Sequence, residues 1–308
     1  MTPDRISQAA AILGDRARPD VALAGFTTYR VGGPAALLLD ARDEADLMVA
    51  QQAVGVSGID VLVVGRGSNL LVADAGFNGL AIVLGEGFGS IRFDGVRVRA
   101  GAAVSLPVLA RRSAAAALSG LEWAVGVPGS VGGAVRMNAG GHGSDVSATL
   151  GKVQVIDLAT VAPPCEVGAA ELDLQYRHSA ITSHQVVTWA EFDLRRGDRQ
   201  AAEQEIVDIV RWRRANQPGG ANAGSVFANP PGDSAGSLIE SAGLKGTRVG
   251  SATVSPRHAN FFQVDDGGSA DDVVALMETV AKAVLERFGV QLHPEVHLVG
   301  FPSPSIEG

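Results

Sequence analysis

Apolar and polar positions alternate along this chain in short runs whose period changes often. Residues 5–13 carry apolar positions at helical spacing and predict a short helix. The stretch 27–34 breaks regularity, 35–39 reads as a strand, and Asp43 can cap a helix over 44–53. Residues 61–64, Val-Leu-Val-Val, are wholly apolar, which suits a strand buried between covering layers. Short strands are predicted at 81–84, 91–93 and 96–100, the last two joined by the hairpin signal Asp94-Gly95. Ser105 is a good N-cap for a helix over 106–118. Strands follow at 152–157, 186–194, 261–264 and 297–299, and helices at 199–214, 234–242 and 270–288. The last helix keeps Val273, Met277, Val280, Val284 and Phe288 on one face. Many short strands with a few helices between them predict an α+β fold rather than regular βαβ repetition.

Glycine interrupts these runs: it supplies 39 of the 308 residues, against a usual share of ~7%. Its densest cluster is 121–143, LEWAVGVPGSVGGAVRMNAGGHG. Ordering glycine costs backbone entropy, so a dense run needs a reason. One reason is close approach of the backbone to a ligand. Residues 128–134 can form a cradle of main-chain N–H groups for a diphosphate, with a short helix after it. The other reason is a sharp turn between two buried elements. A second cluster, Gly65-Arg66-Gly67-Ser68-Asn69-Leu70-Leu71, follows the apolar run 61–64. It departs from the dinucleotide fingerprint, because Leu70 holds the third glycine position and no helix follows. Ser68 and Asn69 offer hydroxyl and amide contacts instead. The helix at 199–214 ends in Arg211, Arg213 and Arg214, which suit either the negative end of a helix or a phosphate. Residues 217–224 mark a boundary.

Composition narrows the function. A hydrophobic share of 46% is ample for a core, and the length suits two domains or three small ones. The net charge of −8 argues against broad nucleic-acid binding, which needs an excess of Lys and Arg. A local site can still take a small anion. Cys165 is the single cysteine, so neither an internal disulfide nor a cysteine metal cluster is expected. It falls in a proline-rich loop. The histidines are spaced for no convincing metal site. No run approaches ~18 apolar residues and no apolar signal core follows Met1, so no membrane partner and a cytoplasmic location are expected.

Eight motifs then occur in order: TTYRVGGP at 27–34, VGRGSNLL at 64–71, GVPGSVGGAVRMNAG at 126–140, YRHS at 176–179, NAGSVFANP at 222–230, AGLKG at 242–246, SPRHANF at 255–261 and PEV at 294–296. Together they make the chain resemble, over nearly its whole length, the UDP-N-acetylenolpyruvoylglucosamine reductase family in its shorter, second type. These are flavin enzymes of peptidoglycan precursor synthesis. The resemblance implies an FAD-binding fold of the vanillyl-alcohol-oxidase/PCMH type in two subdomains, 1–84 (joined by 295–308) and 85–197, plus a C-terminal α+β substrate-binding domain at 198–294. It implies non-covalent FAD held along Gly65, Arg66, Gly67, Ser68, Asn69 and Leu70, and along Pro128, Gly129, Ser130, Gly132, Gly133, Ala134, Asn138, Gly140 and Gly143. NADPH would donate the hydride, and flavin N5 would pass it to the enolpyruvyl group of UDP-N-acetylglucosamine enolpyruvate, giving UDP-N-acetylmuramate. Ser225 matches the proton donor, and Arg177 and Glu295 match residues that stabilise the intermediate. Arg214, Asn229, His258 and Asn260 resemble substrate contacts. Arg66 stands where glycine is commoner, Ala228 where a basic residue is common, and His293 where Glu often precedes Pro-Glu. Two alternatives use the same chain differently: an FAD-dependent oxidase of small alcohols or sugars, and an inactive nucleotide-sugar-binding paralogue.

Overall fold

The computed structural model describes residues 4–302. The chain divides into two compact units. The first comprises the chain up to Asp20, Ala36–Arg66 and Gly79–Arg213; the second comprises Val21–Ala35, Gly67–Asn78 and the chain from Arg214.

In the first unit, helix α1 (Arg5–Leu13) begins where the Asp4 carboxylate accepts the Ser7 N–H at 2.7 Å. Helix α2 (Glu44–Ser57) begins at Asp43, which accepts the Asp46 N–H at 3.1 Å, and it runs four residues past its expected end. Asp46 is itself buried and accepts from Arg42 and Arg16, whose hydrogen bonds hold its carboxyl below the ordinary range. Apolar residues of both helices pack on a four-stranded sheet ordered Ala17–Ala22, Pro34–Ala41, Phe77–Leu84, Val61–Val64. The last two strands are parallel, with Val61 opposite Leu80. That agrees with the wholly apolar run at 61–64, since a parallel strand is covered on both faces.

A five-stranded antiparallel sheet is ordered Cys165–Gly168, Leu150–Asp157, Gln185–Asp193, Arg97–Gly101, Ile91–Asp94. Its core takes in helices α3 (Leu106–Ala115), α4 (Val131–Met137) and α5 (Arg199–Asn216). Two local expectations are corrected here. The helix after Ser105 stops at Ala115, because Ala117 takes φ +54° and Leu118–Ser119 pairs with Arg195–Arg196. Cys165 lies not in a loop but at the start of an edge strand, opposite Val155.

The second unit holds α6 (Ala235–Ser241), α7 (Ala270–Phe288) and a sheet ordered Arg248–Val249, Ala252–Val254, Phe262–Val264. Its core joins Tyr29, Val31 and Leu71 to Phe227, Phe262, Val273, Leu276, Val280 and Val284. Phe288, expected on the apolar face of α7, is exposed, and Leu276 is buried instead. Strand Leu70–Val72 pairs in parallel with His297–Val299, Leu70 opposite His297. Mixed strand directions and separate helices make the fold α+β, as the patterning predicts.

Candidate active site

Among the described residues, no group of His, Cys, Asp or Glu could hold a metal ion, and no helix is long and apolar enough to cross a membrane. The chemistry-bearing residues fall into two sets, one on each unit.

On the first unit the two glycine clusters meet at Ser130. A Cβ built on Gly65 would lie 2.5 Å from the Ser130 hydroxyl oxygen, and one on Gly133 would lie 3.5 Å from it. Ser130 is 3% exposed. Ser130 pairs with Ser105 as an isolated bridge: Leu106 N–H donates to Gly129, and Val131 N–H donates to Val104. Gly132 N–H donates to Ala102, and its missing Cβ would lie 3.0 Å from the Ala102 Cβ. Val131 and Gly132 are therefore engaged by neighbouring chain. The N–H groups of Gly129, Ser130 and Gly133 meet no main-chain acceptor among the described residues. These three amides, beside a spot where Gly65 leaves no side chain, can take anionic oxygens. The residues present thus fit a diphosphate, although fewer amides are available than the run of glycines suggests.

Arg66 is exposed, and Ala134 and Asn138 are buried. Gly140 is needed for local reasons: its Cβ would lie 2.6 Å from the Asp145 Cβ in the small hairpin Gly140–Gly141 with Ser144–Asp145. Gly143, at φ +84°, turns that hairpin. Asn138 ends α4 in the left-handed region, and its amide bonds within the chain. Arg177 also lies on this unit, in a tight turn at φ +56°, its guanidinium 5.0 Å from the Tyr176 ring centre.

On the second unit, the segment carrying Ser225 is held from both sides. Ser225 bridges to Phe261, and Val226 N–H donates to the Asn260 carbonyl at 2.9 Å. From the other side, Glu295 N–H donates to the Val226 carbonyl at 2.8 Å, and Ala228 N–H to His293 at 2.9 Å. Asn260 is 2% exposed. Its Oδ1 accepts the Phe227 N–H at 3.0 Å and its Nδ2 donates to the Phe227 carbonyl at 2.8 Å. It clips the chain and does not face outward. Asn229 accepts the Ala235 N–H at 3.1 Å, tying the loop to the start of α6. His258 accepts the Asn260 N–H at Nδ1 (3.3 Å), and its ring lies 4.6 Å from that of Phe261. Burial, then the charge of Lys245, holds this imidazole below its ordinary pKa.

Gly67 takes φ +59° and its Cβ would lie 2.0 Å from the Phe26 carbonyl, so no other residue fits there. Ser68 is half-buried, and Leu70 opens the strand beside His297. Asn69 donates from Nδ2 to the Glu295 carbonyl at 3.0 Å, and its own carbonyl accepts the His297 N–H at 2.9 Å. Arg214 is exposed, and its carbonyl accepts from Arg257 at 3.1 Å. Arg257, which also reaches the Gln217 carbonyl at 3.2 Å, is not among the residues the sequence suggests for the site. Its place between Pro256 and His258 in SPRHANF was the available signal.

Two family descriptions match the chain: an FAD binding domain over residues 35–160, and the C-terminal domain of UDP-N-acetylenolpyruvoylglucosamine reductase over 216–299. The UDP-N-acetylenolpyruvoylglucosamine reductase of Heliobacterium modesticaldum is 44% identical over 92% of this chain and 90% of its own length. That of Rubrobacter xylanophilus is 41% identical over 93% of this chain and 96% of its own. The crystal structure of the Thermus caldophilus reductase superposes with a TM-score of 0.81 at 34% identity, covering 92% of this chain and 99% of that one.

Proposed function

The chain belongs to the UDP-N-acetylenolpyruvoylglucosamine reductase family, and from that premise we propose that it reduces the enolpyruvyl group of UDP-N-acetylglucosamine enolpyruvate to UDP-N-acetylmuramate in the cytoplasm, using NADPH. It is a flavin-dependent oxidoreductase of peptidoglycan precursor synthesis. FAD, held along the Gly65 and 128–134 segments, would supply the redox chemistry that carries hydride equivalents from NADPH to the terminal vinyl carbon. In this reading the chain works as two flavin subdomains, 1–84 with 295–308 and 85–197, and a substrate domain, 198–294.

The chain's own residues hold the diphosphate and manage charge and proton. The amides of Gly129, Ser130 and Gly133, beside Gly65, hold the diphosphate. Hydride arrival at the vinyl group leaves enolate character next to the carboxylate. Arg177 stabilises that charge with its guanidinium. Ser225 protonates the adjacent carbon, so hydride plus proton balance the reduced double bond. Glu295 lies in the segment tied to that of Ser225 and holds the enol or a water. His258, kept neutral, and Arg214 meet the nucleotide portion. Asn229, Asn260 and Asn69 hold main chain around them. The observation that most supports the reading is the hydrogen bond from Glu295 N–H to Val226 at 2.8 Å, which joins the segment bearing the carboxyl to the one bearing the hydroxyl.

The test is anaerobic. NADPH should bleach the visible flavin band of the purified protein, and UDP-N-acetylglucosamine enolpyruvate should restore it. Ser225→Ala should leave the bleaching intact and slow the recovery by about a hundredfold or more, the scale of a lost general acid. If oxygen restores the colour and the enolpyruvyl compound does not, the substrate assignment fails and an oxidase gains.

A further inference from the structure

Helix α4 ends at Asn138 with φ +38° and ψ +56°. Ala139 N–H donates back to Ala134 at 2.8 Å and Asn138 N–H to Val135 at 3.2 Å, a left-handed closure of the helix. That cap leaves the Asn138 side chain facing inward, 2% exposed. Its Oδ1 accepts the Ser147 N–H at 3.0 Å, and its Nδ2 donates to the Gln175 carbonyl at 2.8 Å.

Gln175 is one post of a tight turn. Gln175 and His178 exchange two main-chain hydrogen bonds, each 3.1 Å, and enclose Tyr176 and Arg177. Arg177 sits there at φ +56°, a conformation that costs a non-glycine residue about 1 kcal/mol or more and persists only where the surroundings enforce it. The other side of the turn is enforced too. Ser179, 2% exposed, donates its hydroxyl to the Arg136 carbonyl at 2.8 Å. Arg136 is in the last turn of α4 and Asn138 caps it. Both sides of the Arg177 turn, through Gln175 and through Ser179 next to His178, are therefore fastened to the end of a seven-residue helix whose opposite end carries Ser130 and Gly133.

We propose that Asn138 and Ser179 are positioning residues for Arg177: they fix the strained turn through Gln175 and through Arg136, and so set where the guanidinium stands. The proposal rests on the role given to Arg177 above. It also reassigns Asn138, which the sequence suggests as a cofactor contact.

Asn138→Asp keeps the size and the left-handed preference but turns the Nδ2 donor into an acceptor facing the Gln175 carbonyl. Ser179→Ala removes the other fastening and leaves the helix cap intact. Each variant is purified with FAD bound. Flavin bleaching by NADPH and recovery on UDP-N-acetylglucosamine enolpyruvate are then timed separately by anaerobic stopped flow, with Arg177→Lys alongside. Bleaching should be unchanged. Recovery should slow tenfold to about a hundredfold in both variants, the scale of a misplacement near 1 Å, and Arg177→Lys should slow the same step. Wild-type recovery in both variants, with Arg177→Lys slow, overturns the positioning role. So does a parallel loss of both half-reactions with loss of FAD, because that is a merely structural effect. Wild-type recovery in Arg177→Lys removes the role of Arg177 itself, and the proposal with it.

Discussion

A side chain at Gly126 would press on the ring of His142. An ideal Cβ would lie 2.8 Å from Cδ2 and 2.9 Å from Nε2 of His142, whose ring meets that of Trp212 edge-on at 5.2 Å. Gly126→Ala should cost about 1 kcal/mol in denaturant unfolding, the low end of overpacking, because the exposed His142 ring can shift. The double variant with His142→Ala should recover part of that loss, a coupling of about 0.5 kcal/mol, the low end for residues in contact. The same ring gives a pH dependence. Burial, then the charge of Arg213, lowers the His142 pKa, and burial with Lys245 lowers that of His258. Depressed folded values mean that the unfolded chain binds protons first. The stabilising contribution is present above the ordinary imidazole value near 6.5 and is lost as pH falls below it towards the folded values. The thermal midpoint should therefore fall as pH drops below about 6.5, and His142→Gln should flatten that slope.

At the scale of elements, one amide matters more than its size suggests. Asn260 satisfies both main-chain groups of Phe227, two residues beyond Ser225. Asn260→Ala should destabilise by about 2–4 kcal/mol, since buried donors and acceptors lose their partners, and denaturant titration would read it. Elements with a strong period were legible in the sequence. Helix α7 occupies the predicted 270–288, and the strand 61–64 has the predicted bounds. Strand Ala17–Ala22 was not legible, because it is mostly exposed, contains Pro19 and carries Asp20 at φ +53°. In the candidate site, the meeting of the two glycine clusters was foreseeable as chemistry but not as contact, since spacing does not say that Gly65 faces Ser130. The sequence suggests ligand contacts for Asn69, Asn138 and Asn260, whose amides point inward, because a sequence shows an amide's type and not its partner. For Asn138 a signal existed: Asn after a short helical run and before Ala-Gly is a good left-handed cap.

At the scale of the whole molecule, the second unit is discontinuous in sequence. Its core needs Tyr29, which is fully buried, together with Val31 and Leu71. A fragment of residues 214–308 lacks all three, although the C-terminal family match is contiguous over 216–299. That fragment should give a poorly dispersed proton NMR spectrum, whereas the full chain gives a folded one. The parallel pairing of Leu70–Val72 with His297–Val299 also fixes an order in time. Asn69 and Glu295, joined by a hydrogen bond beside that pairing, are 226 residues apart. With ribosomes adding about 5–20 residues per second, the nascent loop at 67–70 must wait roughly 10–45 s for its partner strand to be synthesised. Until residues 297–299 have been synthesised, half of this pairing hangs as an open edge for chaperones and proteases to find.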